Sequence, residues 1–257
     1  MRSHNTLLLP ILLVLISGCT RILDSPEETE ENWNRYKSEH FQFYVTPGGT
    51  AEADIAQIKS EQERAYAELN RRMDTSFERT VRVYIYENNN LFDSRERTGT
   101  AHPEIGTIEA VYGDKVKSIG VRGVSLHELS HIVSFYEWCP SPEPMVAEGL
   151  AVWLDDYWSA SSVASSDLHR IGKTRLNADQ LPRIDQMMTQ WSQLDSDISY
   201  PTAGSLAKYL IEEYGLERFR ELHCEVRPGN YRSIFFEIYE KDVETIEREY
   251  LNFLRAY

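Results

Sequence analysis

Apolar and polar positions alternate along several short stretches of this chain and recur at helical spacing along longer ones. Val81-Arg82-Val83-Tyr84-Ile85-Tyr86 has the two-residue period of a strand and runs into Asn88-Asn89-Asn90, a turn-forming cluster. His40-Phe41-Gln42-Phe43-Tyr44-Val45 has the same character and stops at Pro47-Gly48-Gly49. Between them Ile55, Ile58, Ala65 and Leu69 fall at helical spacing among many charges, which predicts a long amphipathic helix over Ala51 to Met73. Leu91 to Arg97 reads as one further short helix. Ile105 to Tyr112 and Val116 to Val121 are strand-like and flank Gly113-Asp114, so they predict a hairpin. In the stretch it leads into, Val124, Leu126, Leu129, Ile132, Val133 and Phe135 face all sides of a helix, which predicts that this helix is buried.

The second half of the chain is helical in pattern. Pro142 and Pro144 are placed to start a helix that reaches Asp155, and a Ser- and Ala-rich surface loop follows from Ser159 to Asp167. Further helices are predicted near Asp185 to Gln193, then over Pro201 to Tyr214, Glu217 to His223, Tyr231 to Tyr239 and Val243 to Leu254. Gly215 is placed to cap the helix before it, and Gly229 separates two later ones. The predicted fold class is α+β. A small mixed α/β N-terminal lobe over residues 35–122 ends in the hairpin, and a mostly helical lobe over residues 123–257 follows, with a cleft between them; residues 35–257 also count as one domain.

The buried helix carries His127-Glu128-Leu129-Ser130-His131. Histidines four apart lie one turn above each other on one helical face, so two imidazole nitrogens can reach a single Zn²⁺, and a glutamate beside the first sits next to the open coordination position. A competing reading is a capping box, Ser125-x-x-Glu128, in which Glu128 only satisfies a helix N-terminus. The apolar surroundings favour the metal, because a buried trio of polar side chains needs partners. A third ligand is required. The metzincin position ten residues beyond His127 is Glu137, and Ser134 stands where that motif has glycine, so that route is closed. Glu148 is the remaining candidate: it shares a stripe with Met145, Ala151 and Val152, where a lone carboxylate is costly unless paired or bound to metal. Asp155 lies two turns further on the same side and is placed either to orient a ligand histidine or to end the helix in solvent beside Asp156.

His127-Glu128-Leu129-Ser130-His131 followed by Ala147-Glu148-Gly149-Leu150-Ala151 resembles the gluzincin metallopeptidases, in particular the peptidase MA-like bacterial lipoproteins distantly similar to thermolysin and the zinc aminopeptidases. The resemblance implies a zincin-like fold, one zinc on His127, His131 and Glu148, and Glu128 as general base in the hydrolysis of a peptide or protein substrate. The stretch between His131 and Glu148 is slightly shorter than in the best-known members and contains Cys139 and three prolines. Tyr200-Pro201-Thr202-Ala203 through Tyr209-Leu210 to Tyr214-Gly215 is similar to a later helix of that family, which implies Tyr200 as an oxyanion donor; the other reading is a tyrosine packing at a helix start. No Gly-x-Met-x-Asn signature stands upstream of His127, which by family analogy favours an endopeptidase or a narrow dedicated protease. In such proteins a strand beside the site pairs with extended substrate, and Thr107 to Tyr112 is the candidate here; the other reading is that the hairpin simply covers the core.

The N-terminus changes where this chemistry is expected. Arg2, the apolar run Leu7 to Ile16, which is too short to span a bilayer, and Ile16-Ser17-Gly18-Cys19 resemble a bacterial lipoprotein signal. That implies removal of residues 1–18, lipidation of Cys19, an acidic linker over 19–34, and residence in the cell envelope, at the outer membrane facing the periplasm. Cys139 and Cys224 then remain as an even pair for an oxidising compartment, either bridged or as two buried thiols. His169 and His223 stand in ligand spacing to no other candidate and read as surface or structural. A formal charge of -14 argues against nucleic acid as a partner. Two function classes stay open: a zinc-dependent envelope peptidase, and a non-catalytic lipoprotein that binds a partner or cell-wall component on the same fold. The intact Glu128 favours the first, since a purely structural zinc has no use for a base beside an open position.

Overall fold

In the computed structural model, which describes residues 33–87, 99–112, 121–141, 143–155, 167–227 and 229–257, the β-branched and aromatic segments assemble into one mixed sheet. Its strands are β1 (Asn34–Lys37), β2 (Phe41–Val45), β3 (Val81–Tyr86), β4 (Gly99–His102) and β5 (Thr107–Val111). Among the described residues their order is β1-β2-β3-β5-β4. The three inner strands are parallel, and β1 and β4 run antiparallel on the two edges. Parallel neighbours need a long crossover, and between β2 and β3 it is helical: α1 (Thr50–Ala53) and α2 (Ile55–Met73). The single helix expected over Ala51 to Met73 is therefore interrupted at Asp54, whose carboxylate accepts a hydrogen bond from the Tyr112 hydroxyl at 2.8 Å just past β5.

One face of the sheet is apolar. Phe41, Phe43, Val45, Val83, Ile85 and Ile108 join the core beneath the helices. The other face carries Tyr44 stacked on its register partner Tyr84 at 4.4 Å, with Trp33 edge-on to Tyr84 and Tyr86.

The expected hairpin is corrected. Thr107–Val111 pairs antiparallel with the upstream strand β4, through the 3₁₀ turn Pro103–Ile105 and Gly106, whose φ of 62° favours glycine. Gly113-Asp114 lies outside the described residues, and Val121, expected to end a strand, is already helical in α3 (Val121–Val133). Two consequences follow. Among the described residues Thr107–Val111 is an inner strand, so the sheet edge beside α3 is β4 and not the segment expected to meet substrate. Ser125 stands inside α3 and does not open it, which removes the capping-box reading of Glu128.

After α3 the chain makes a π-helical turn, Ser134–Trp138, and enters α4 (Pro144–Leu154) with Pro144 in the first turn, where no intrahelical N–H is needed. The helical remainder comprises α5 (Leu168–Asn177), α6 (Ile184–Thr189), α7 (Ser196–Tyr214), α8 (Leu216–Glu225), α9 (Tyr231–Tyr239) and α10 (Val243–Ala256). Asp167 caps α5, a helix the sequence pattern did not separate from its surroundings. Asp195 caps α7 a turn and a half before Pro201, the expected start. Pro201 has no N–H for the carbonyl of Asp197, and Arg175 donates to that oxygen from α5 at 3.2 Å. Residues Trp33–Tyr257 form one compact unit; the expected signal peptide, Cys19 and nearly all of the acidic linker lie outside the described residues.

Among the described residues α4 makes its most extensive helix contact with α7. A Cβ built on Gly149 would sit 2.9 Å from the Ala203 carbonyl oxygen, and one on Gly204 would sit 2.4 Å from Val152 Cγ1. Small residues thus set the distance at which the two helices pack. Gly204→Ala is expected to destabilise the fold by about 1–3 kcal/mol through overpacking, read as a lower thermal midpoint; an unchanged midpoint would contradict this contact.

Candidate metal centre

The site is assembled from two helices, α3 and α4, that pack against each other and share the core with α7. His127 and His131 project from successive turns of α3, and Glu148 projects toward them from α4. Glu148 Oε2 lies 3.1 Å from His127 Nε2 and 3.5 Å from His131 Nε2. The ligating atoms of the three side chains all fall within 4.8 Å of one another. His127 Nδ1 lies 2.9 Å from Asp155 Oδ2, and Asp155 is 6% exposed. A buried carboxylate there favours a proton on Nδ1, so Nε2 is the ring atom that faces Glu148 and that a metal could take in place of a proton. Two imidazoles and one carboxylate with a carboxylate behind the first imidazole match the donor chemistry of a three-ligand zinc site.

The electrostatics agree with a cation-holding pocket. Burial opposes ionisation of Glu148, but hydrogen bonds from His127 and His131 outweigh it and hold the carboxyl well below its usual range. Burial likewise opposes protonation of His127, yet Asp155 and Glu148 raise its affinity for a proton well above normal. Glu128, on the same turn as His127, behaves in the opposite sense to Glu148: burial pushes its carboxyl up, against the pull of His127 and His131 and with the help of Glu148 and Asp155. A carboxylate raised toward neutrality is suited to accept and return a proton.

Tyr200, in α7, has its ring 6.3 Å from that of His127 and 5.3 Å from that of Trp191. Cys139, just past the π-helical turn, is joined by a disulfide to Cys224 in α8, with their Cα atoms 5.6 Å apart. His223 Nδ1 lies 3.6 Å from Cys139 Sγ, and burial, with the charges of His131 and Arg227, pushes the imidazole down to about 3. His169 is buried as well, between Ser205 and Glu212. The structure therefore brings His127, His131, Glu148, Asp155 and Tyr200 together, sets Glu128 beside them and bonds Cys139 to Cys224. Sequence reasoning missed β4, whose Gly99-Thr100-Ala101-His102 has little strand character, and Arg220, which donates to the Glu137 carbonyl at 2.9 Å where the π-helical turn ends.

The fold and this three-ligand centre define a zincin-like protein. The chain belongs to the peptidase MA superfamily, whose family model matches residues 62–256, a span that contains every one of these side chains. Among solved structures it is similar to an M1 zinc metallopeptidase from Deinococcus radiodurans at 12% identity and a TM-score of 0.50, covering 85% of this chain and 50% of that one. A variant of that enzyme bound to Tyr-Ser-Ala gives 12% and 0.51, with 85% and 51% covered. A two-domain M1 zinc metallopeptidase variant bound to L-arginine gives 12% and 0.52, with 82% and 48% covered. This chain thus spans about half the length of those structures, and at such identity the likeness is one of fold. Comparison with curated proteins found no match.

Elemental analysis of the purified domain checks the donor set. The wild type is expected to hold about one zinc per chain and Glu148→Ala to lose most of it, whereas Asp155→Ala keeps zinc with about 10–100-fold weaker affinity. Undiminished zinc in Glu148→Ala would remove that residue from the site.

Proposed function

We propose that this chain is a zinc-dependent peptidase of the bacterial envelope, with His127, His131 and Glu148 holding the metal and Glu128 acting as general base. The observation that carries the reading is the division of labour between two nearby glutamates. Glu148 is hydrogen-bonded into the histidine pair, while Glu128, next to His127 on α3, is not among the three side chains whose ligating atoms converge. Zinc, when bound, supplies a Lewis acid that polarises the scissile carbonyl and acidifies the attacking water. Glu128 removes a proton from that water and returns it to the leaving amine. Tyr200 donates its hydroxyl to the oxyanion, and Asp155 holds the proton of His127 on Nδ1 so that the ring keeps one orientation throughout. An extended peptide pairs with the outer edge of β4, which packs beside α3 and presents backbone groups that no described strand takes up on that side.

The location belongs to the same reading. Cleavage before Cys19 and lipidation of its thiol would anchor the domain at the outer membrane facing the periplasm, with the residues from Cys19 up to the compact unit that begins at Trp33 as a tether, and support for this comes from the lipoprotein-like N-terminal sequence alone. Cys19→Ser is expected to move the protein from the membrane fraction to the soluble fraction; retention on the membrane would overturn the anchor.

Glu128→Gln tests the chemistry, because the amide is close in shape but cannot take a proton. Hydrolysis of a mixed peptide library, read by mass spectrometry, is expected to fall by about 10²–10⁴-fold while the zinc content stays at the wild-type level. Wild-type rates in the variant would sink the general-base role, and a zinc-loaded wild type that cleaves nothing would favour the partner-binding lipoprotein instead.

A further inference from the structure

Neither the motif nor its ligands explain what holds Asp155 in place. Asp155 is the residue that follows the last turn of α4, with an extended backbone at φ -84° and ψ 151°. Its position behind His127 therefore depends on where that helix stops. The last carbonyls of a helix have no intrahelical donors and form the negative end of the helix dipole. Here two of them have the same partner. Arg72, in the last turn of α2, donates through Nη1 to the Leu154 carbonyl at 2.8 Å and through Nη2 to the Trp153 carbonyl at 2.6 Å. Its guanidinium also lies over the Trp153 ring, 4.6 Å from the centroid. Two charge-assisted bonds from one planar group fix direction as well as distance, and the stacked indole restricts the guanidinium further.

The connection to the metal centre is short. Arg72 binds the carbonyls of residues 153 and 154, the next residue is Asp155, and Asp155 Oδ2 is 2.9 Å from His127 Nδ1. The same helix carries Glu148 two turns earlier, on the face that meets His127 and His131. We propose that Arg72 is a positioning residue of the metal centre: by capping the C-terminus of the ligand-bearing helix from a neighbouring one, it sets the carboxylate that orients His127. The proposal rests on the metal reading given above and adds to it a residue 55 positions upstream of the motif, in a helix that contributes no ligand.

A double-mutant cycle tests this. Zinc affinity by chelator competition and the visible spectrum of the Co²⁺-substituted protein are measured for wild type, Arg72→Met, Asp155→Ala and the double variant, with thermal midpoints of the zinc-free forms recorded alongside. Arg72→Met is expected to weaken zinc binding by about 10–100-fold and to shift the Co²⁺ spectrum. The double variant is expected to bind scarcely more weakly than Asp155→Ala alone, because both changes act through one carboxylate. Arg72→Lys keeps the charge without the two-pronged geometry and should fall between; it carries the test if Arg72→Met does not fold. A wild type that binds zinc while both Arg72 variants keep its affinity and spectrum overturns the proposal alone, as do losses that multiply in full with those of Asp155→Ala. A wild type that takes up no zinc overturns the metal reading and this proposal with it.

Discussion

A half-buried carboxylate between two imidazoles is the constraint on which the rest of the structure depends. Removing Glu148 from water is costly, and the cost is offset only while His127 and His131 stay within hydrogen-bonding or ligating distance. Such an arrangement tolerates little relative movement of α3 and α4. The fold restrains α4 in two ways: Gly149 lets it lie directly on the backbone of α7, and Arg72 ties its end to α2. It restrains the end of α3 through Arg220, which bonds the Glu137 carbonyl, and through the disulfide from Cys139 to α8. The elements that supply these restraints are not the ones that supply the ligands. That separation lets the ligand helices be set by packing while their polar side chains face one another.

What was legible in the sequence was what local spacing determines. His127 and His131 share a helical face because of their spacing alone, and Glu148 stands out because a carboxylate on an apolar stripe requires a partner. Tyr231 to Tyr239 and Val81 to Tyr86 were read to the residue for the same reason, each being bounded by its own pattern. The failures arise where pairing, capping or a tertiary contact overrides the local pattern. Thr107–Val111 was recognised as a strand but matched to the wrong neighbour, because Gly113-Asp114 offers strong turn chemistry while the turn actually used depends on Gly106 with a left-handed backbone. Its true partner, β4, has the composition of a loop and becomes a strand only by pairing. Pro201 read as a helix start because proline belongs there locally; the helix continues through it because Asp195 caps it earlier and Arg175 satisfies the carbonyl left over. Arg72 left no signal at all, since nothing in the spacing of α2 reveals which carbonyls its guanidinium will meet.

The disulfide shows how the two kinds of information combine. Counting cysteines leaves an even pair, and only the packing of α8 against the end of α3 brings their Cα atoms to 5.6 Å. The bridge places His223 close to His131, where a second positive charge would work against a cation held by the ligands. Burial against Trp138 and the disulfide removes that difficulty: with its imidazole pushed down to about 3, His223 stays neutral wherever His127 and His131 can serve as ligands. The chain can therefore keep a histidine beside the candidate metal centre as packing material. The three histidines close together in this region have different fates because of the carboxylates around them. Asp155 and Glu148 draw His127 into the cluster and Glu148 draws His131, whereas His223 meets sulfur, an indole and the charge of Arg227, and is left out of it.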